Sequence, residues 1–279
     1  MNAALCVLSS SSSGNCSALV VSTPGGTGVI LIDAGLSPRR TRAMLEVAGL
    51  ANLPVLGMVL THLDADHWHP GWVGARDEDV RLWVHRRHRG RAEREGAMHR
   101  RAEVFDGVFS PAPGVEFAPL LCAHDELGAA AFRISLPGGT TLGYATDVGR
   151  PSDELAAHLA GVDVLAVESN YCPNLQRASG RPAFLVRRIM GGGGHLSNQQ
   201  SAELAFRISP RGHIVLLHLS RQCNTPQAAL AAYGGCPLPI TISSPEAPTA
   251  HVPIEASTKP GPAMPRVEVP ALRQPLLWG

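Results

Sequence analysis

The sequence predicts an α+β fold in which two sheets pack together under a cover of helices. Three observations carry this reading. The first half of the 279-residue chain alternates short apolar runs with glycine-rich turns. The second half alternates strand-like with helix-like segments. Hydrophobic residues make up 44% of the chain, enough to bury a sizeable core.

Taken in order, "AALCVLSS", "SALVVST" and "GVILIDAG" read as three successive strands. "SPRRTRAMLEVAGL" follows as a helix, with Ser37 as N-cap, Pro38 at the first helical position and Gly49 at its end. "PVLGMVLTH" and "VRLWVH" are strands, and the arginine-rich stretch after them reads as helical to about Arg101. "VEFAPLLCAHD", "AAFRISL" and "TTLGYATD" are strands, the last two joined by a "PGG" turn. "SDELAAHLAG" is a helix and "VDVLAVES" a strand; "AFLVRRIM" and "SNQQSAELAFRIS" are helices, the second capped by Ser197. "GHIVLLHLS" is a strand, and Thr225 and Pro226 open a last helix. From Pro245 the chain turns proline-rich and loses its period. The expected division is therefore a domain over 1–244 and an extended or disordered tail over 245–279.

No run of 18 apolar residues predicts a membrane helix, and no basic-then-apolar start predicts a secretory signal. The six cysteines form no C-x-x-C pair and no regular framework, so reduced thiols and a cytoplasmic location are expected. A net charge of +1 does not mark the whole molecule as a polyanion binder. Residues 85–101, "HRRHRGRAEREGAMHRR", nevertheless carry seven arginines. They read as a solvated helix, with a nucleic-acid footprint as the alternative.

The chemistry concentrates in "THLDADHWHP", residues 61–70, which follows a buried strand. His62 and Asp64 alternate, so on an extended segment both side chains point the same way. Asp66 and His67 follow in the turn, whereas Trp68 and His69 read as surface or helix-start residues. His124 and Asp125, Asp147 and His218 end three further strands. Strand ends are rigid platforms, and imidazole with carboxylate suits zinc, manganese or iron. His62 and Asp64 can reach one ion, Asp66 and His67 a second, and Asp147 can bridge the two.

"THLDADHWHP" resembles the H-x-H-x-D-H signature of metallo-β-lactamase-fold hydrolases. "LSSSSSGNCSALVV", "ILIDAGLS", "CAHD", "ATDVG", "ESNY", "RRIMGGGGHLSN" and "LLHLSRQCNTPQAAL" resemble the YycJ/WalJ branch of that superfamily, in the same order, across roughly residues 4–243. The resemblance implies a four-layer αββα sandwich with two divalent ions, Zn²⁺ or Mn²⁺, at one edge. It assigns His62, Asp64, His124 and Asp147 to the first ion, and Asp66, His67, Asp147 and His218 to the second. It makes Asp66 and His195 catalytic, with His195 assisting the leaving group. It places Ser13, Asn15, Ser197 and Asn198 along the substrate path, and the Gly191–Gly194 run where backbone approaches substrate. Asp33 and Glu168 would support the ligands. Asp64 departs from the pattern, where most members carry histidine, and an extra carboxylate hardens the site toward manganese or iron.

The implied activity is a phosphodiesterase that uses a metal-activated hydroxide on nucleic acid, as a DNase with exonuclease character. The ligand pattern by itself leaves open a small-substrate hydrolase, acting on a thioester, lactone or cyclic phosphodiester. It also leaves open a non-catalytic regulatory member. Only about two dozen residues separate His124 from Asp147, too few for the inserted domain of RNA-processing members.

Overall fold

The computed structural model describes residues 3–75, 80–257, 261 and 263–265. The chain begins with an antiparallel meander: β1 (Ala3–Ser9), β2 (Cys16–Thr23) and β3 (Gly26–Ile32). Helix α1 (Pro38–Val47) crosses to β4 (Val55–Val59), which runs parallel to β3. The chain then adds β5 (Arg81–His85), the short α2 (Arg89–Arg94) and β6 (Ala102–Phe105), with both strands parallel to their neighbours.

The second sheet repeats this plan. An antiparallel part comprises β7 (Phe109–Ala112), β8 (Val115–Cys122), β9 (Ala129–Ser135) and β10 (Thr141–Ala145). A parallel part then adds β11 (Val164–Glu168), β12 (His213–Leu217) and β13 (Ile240–Ile242). Helices α3 (Asp153–His158), α4 (Pro173–Arg177), α5 (Ala183–Arg188), α6 (Asn198–Ile208) and α7 (Pro226–Ala232) make the crossovers. A short β14 (Val252–Pro253) closes the first sheet. The orders are β14-β1-β2-β3-β4-β5-β6 and β13-β12-β11-β10-β9-β8-β7.

Period-two alternation assigns each strand residue to a layer. In β1, Leu5 and Val7 face the seam between the sheets, while Cys6 and Leu8 face the outer helices. In β11, Val164 and Ala166 face the seam, and Leu165 and Val167 meet α6 and its neighbours. Strands buried on both faces read as continuous apolar runs rather than alternating ones. The result is the four-layer αββα sandwich.

The helix starts follow their caps. Ser37, Ser152, Ser197 and Thr225 each accept a hydrogen bond from a backbone N–H in the first turn. Other expectations need correction. The arginine-rich stretch is not helical to Arg101: after a 3₁₀ turn at Arg86–His88 the helix ends at Arg94, and a glycine in left-handed backbone, Gly96, follows. The chain then enters β6, which has no clear alternation to betray it. Trp68, expected at the surface or at a helix start, is 2% exposed and packs in the outer layer of the first sheet. The segment from 245 was expected as an extended or disordered tail beyond the domain. Its described part lies on the sheet edge: Thr249 bonds both ways with Val7, and Val252 and Ile254 are buried between the sheets. The rest of that tail lies largely outside the described residues.

Candidate metal centre

The site forms where strands from both sheets end on one edge. The 61–69 loop leaves β4 and is pinned from three directions. Asn15 N–H donates to Asp66 O at 2.7 Å, Ala34 N–H to His67 O at 2.9 Å, and His69 N–H to Ala34 O at 2.9 Å. This close approach requires Gly35, since a Cβ there would lie 1.8 Å from Asp66 O. Opposite stand His124 after β8, Asp147 after β10, Glu168 at the end of β11 and His218 after β12. Asp33, Asp147 and His218 all occupy left-handed backbone, with φ of 63°, 52° and 57°. Such conformations cost about 1–3 kcal/mol each and persist only where the surroundings over-determine them.

The ligand-type atoms converge in overlapping groups: His62, Asp64 and His124; Asp66, His67 and His218; and His62, His67 and Asp147. Asp147, 2% exposed, sits at the centre. Its Oδ2 lies 2.8 Å from His67 Nε2, and its Oδ1 lies 3.1 Å from His218 Nδ1 and 3.8 Å from His124 Nε2. Asp66 Oδ2 lies 3.3 Å from His218 Nε2. Asp64 Oδ2 lies 3.5 Å from His124 Nε2 and 3.7 Å from His62 Nε2.

The surrounding groups fix orientations. Asp33, fully buried, accepts from Thr61 N–H at 2.8 Å and from His67 Nδ1–H at 2.8 Å. His124 donates Nδ1–H to Gly194 O at 3.0 Å. A Cβ on Gly194 would lie 2.9 Å from Ile189 Cα, so this turn needs glycine. Glu168 accepts from His195 Nδ1–H at 2.7 Å and from Val148 N–H at 2.9 Å.

Charges and protons balance across this cluster. Burial opposes charge on Asp147, but His218 and His67 overcome it and hold the carboxyl well below its usual range. His67 and His218 are raised in turn: burial opposes their protonation and Asp147 outweighs it. His124, also opposed by burial, is pushed up to about 9 by Asp64 and Asp147. Burial and the neighbouring His67 push His62 the other way. Imidazolium groups thus offset buried carboxylates where cations could sit. His62 Nε2 is buried without a hydrogen bond, and both ring nitrogens of His218 face carboxylate oxygens at 3.1 and 3.3 Å without hydrogen-bond geometry. Buried polar atoms are rarely left so, and these aim at the cluster, which is the arrangement that metal ligation satisfies.

A cleft of about 260 Å³ opens over the cluster, lined by Asp64, Asp66, His124, Asp147, His195 and His218. Leu185, Arg188 and Ile189 from α5 and the turn after it form its rim. All seven expected ligands and His195 therefore come together. Of the expected substrate-path residues, Asn15 alone touches the cluster. Ser13 is exposed and bonded to Ser11, and its neighbour Ser12 lines the cleft instead. Asn15 is buried, with Nδ2 3.2 Å from both Asp66 O and Asp66 Oδ2 and 2.9 Å from His67 Nε2, so it holds the ligand loop from within. Ser197 caps α6 in a capping box with Gln200. Asn198 is fully buried, bonded to Ser169 and Asn224. Asp125 caps its own turn through Leu127 and Gly128. Arg91, whose Nη1 meets Asp64 Oδ1 at 2.7 Å, was not foreseen, because 27 residues separate the pair and no local pattern links them.

A family model described as a beta-lactamase superfamily domain matches residues 29–219, which include every ligand-type residue above. The chain belongs to the beta-lactamase superfamily. Among beta-lactamase superfamily relatives, exodeoxyribonuclease YycJ of Bacillus anthracis is 29% identical over 230 residues, covering 80% of this chain and 84% of the relative. Exodeoxyribonuclease WalJ of Streptococcus pneumoniae is 25% identical over the same shares. The fold matches that of Zn²⁺-bound PqqB from Methylobacterium extorquens, with a TM-score of 0.65 at 17% identity over 88% of this chain and 99% of that one. It also matches YhfI from Bacillus subtilis, a metallo-beta-lactamase fold protein, with a TM-score of 0.63 at 13% identity over the same shares. This beta-lactamase superfamily chain is a metal-dependent hydrolase, and its histidine and aspartate cluster suits divalent ions. No helix among the described residues is long and apolar enough to cross a membrane.

Proposed function

We propose that the chain is a cytoplasmic phosphodiesterase acting on nucleic acid, a DNase with exonuclease character that uses two divalent ions, Zn²⁺ or Mn²⁺. The observation that carries the reading is Asp147, which reaches histidines of both ligand groups from a buried position at the floor of an open cleft. The two relatives bearing exodeoxyribonuclease names support the substrate class. Six free cysteines fit a reducing compartment.

His62, Asp64, His124 and Asp147 would hold one ion, and Asp66, His67, Asp147 and His218 the other. When bound, the ions supply Lewis acidity: they acidify an attacking water and neutralise charge developing on a phosphate. The chain does the rest. Asp33 keeps His67 Nε2 turned into the site by holding Nδ1. Asp66 orients the attacking water. Glu168 holds His195 Nδ1, which leaves Nε2 to deliver a proton to the leaving oxygen. Arg188 at the rim offers a charge for the next phosphate along the strand.

The test is cleavage of 5′-labelled single- and double-stranded DNA, and of RNA, by metal-stripped protein resupplied with Mn²⁺ or Zn²⁺, beside a His67→Ala control. Metal-dependent shortening of DNA from one end, absent in the control, is the expected result. Intact nucleic acid after incubation with protein shown to carry metal would overturn the reading and direct attention to small esters and cyclic phosphodiesters.

A further inference from the structure

Asp64 shares its two oxygens between different partners. Oδ1 accepts from Arg91 Nη1 at 2.7 Å. Oδ2 turns the other way, within 3.5 Å of His124 Nε2 and 3.7 Å of His62 Nε2. Arg91 is anchored in turn, its Nε donating at 2.7 Å to Oε1 of Glu95, the residue that closes α2. Its side chain is 25% exposed, so the pair is partly withdrawn from water. Arg89 on the same helix is engaged with Glu93, away from the cluster.

Two consequences follow from a guanidinium in this place. A carboxylate with both oxygens free can chelate an ion, but one whose second oxygen is held by a planar donor offers a single ligand atom. A guanidinium also keeps its charge at any working pH, so it cancels the carboxylate's attraction for a nearby cation at short range. Of the two ligand groups, this one alone contains a carboxylate paired with a permanent cation among the described residues; Asp66 in the other meets Asn15 and histidines.

We propose that Arg91 is a positioning residue of the metal centre, which restricts Asp64 to one-oxygen ligation and cancels its charge. The position formed by His62, Asp64 and His124 thereby becomes the weaker, more exchangeable of the two. The proposal rests on the reading that both groups hold ions.

Co²⁺ serves as the probe because it reports affinity and coordination number together. Full-length, metal-stripped protein is titrated with Co²⁺ by calorimetry and visible absorption. The native chain takes two ions of separable affinity. Arg91→Gln tightens the weaker one by about tenfold or more, the scale on which outer-shell partners change metal affinity, and leaves the tighter one within about twofold. Its visible bands weaken as the freed carboxylate raises the coordination number. Arg91→Lys keeps the native affinities. Glu95→Gln, which only loosens the anchor, moves the weaker ion in the same direction by less, and stands in should Arg91→Gln not fold. An unchanged or loosened weak ion, or equal shifts at both ions, overturns the role of Arg91. Failure of the native chain to bind two ions would instead overturn the metal reading itself.

Discussion

Asp33 Oδ2 lies 2.8 Å from His67 Nδ1, and this one contact decides which nitrogen of His67 faces Asp147. Both residues are fully buried. Asp33 also takes the backbone and hydroxyl of Thr61. Replacing it with alanine takes the acceptor from two buried N–H groups, those of Thr61 and His67 Nδ1, each costing about 1–3 kcal/mol, while the Thr61 hydroxyl keeps His62 Nδ1 at 2.9 Å. Asp33→Ala is therefore expected to unfold at lower denaturant and to lose about 10–100-fold in ion affinity, as other second-layer partners do. Chemical denaturation and metal titration check both; native affinity in the variant would contradict the account.

Chelation should destabilise the protein measurably. Ligands drawn from both sheets exist together only in the folded chain, so bound ions favour that state. At an ion concentration about 100-fold above Kd, one site adds about 2.7 kcal/mol. Thermal melts with and without EDTA should differ by several degrees, and the gap should widen with free metal concentration.

Without metal, stability should fall as pH rises from about 6.5 to 9. His124 has its pKa raised to about 9 by Asp64 and Asp147, against the opposing effect of burial. The folded chain then binds more protons than the unfolded one in that window, so rising pH costs stability there. Below about 6.5 the contribution is fully present, because both states are protonated. His67 and His218, also raised, act in the same direction. Melting temperatures of the metal-free protein across this range test the sign. The metal-loaded protein should not show the decline, since ions replace the protons.

Truncation after Ser244 should be severe. It removes β14, exposes the edge of β1, and uncovers the space filled by Val252 and Ile254 between the sheets. Each such side chain is worth about 1.5–3 kcal/mol of burial. A loss of about 3–6 kcal/mol is expected by denaturant titration. A truncated chain as stable as the full one would show that the segment only rests on the sheet.

The buried parts of this fold were legible because their signals are local. Apolar runs such as "GVILIDAG" announce strands covered on both faces, and Ser37, Ser197 and Thr225 announce helix starts. The cluster was legible because most of its ligand-type residues follow the end of a strand, and strand ends share an edge. What stayed hidden depends on distance. Arg91 meets Asp64 only through the packing of α2, and Ser12 rather than Ser13 faces the cleft because the tight turn at Gly14 sets their directions. Ser197 and Asn198 misled for the opposite reason: a motif beside the site spends its polar groups on a helix cap and a buried amide network.

The left-handed backbone at Asp147 and His218, described above as strain, also bears on when the chain can first take up metal. Neither conformation is one that a nascent peptide would hold by itself. Each follows a strand, β10 or β12, that pairs in register with β11. A ribosome must therefore extrude the chain past residue 218 before the second ligand group can exist. On the two-ion reading proposed above, the group of Asp66, His67 and His218 is the later of the two to be completed, and a chain terminated before His218 would lack it.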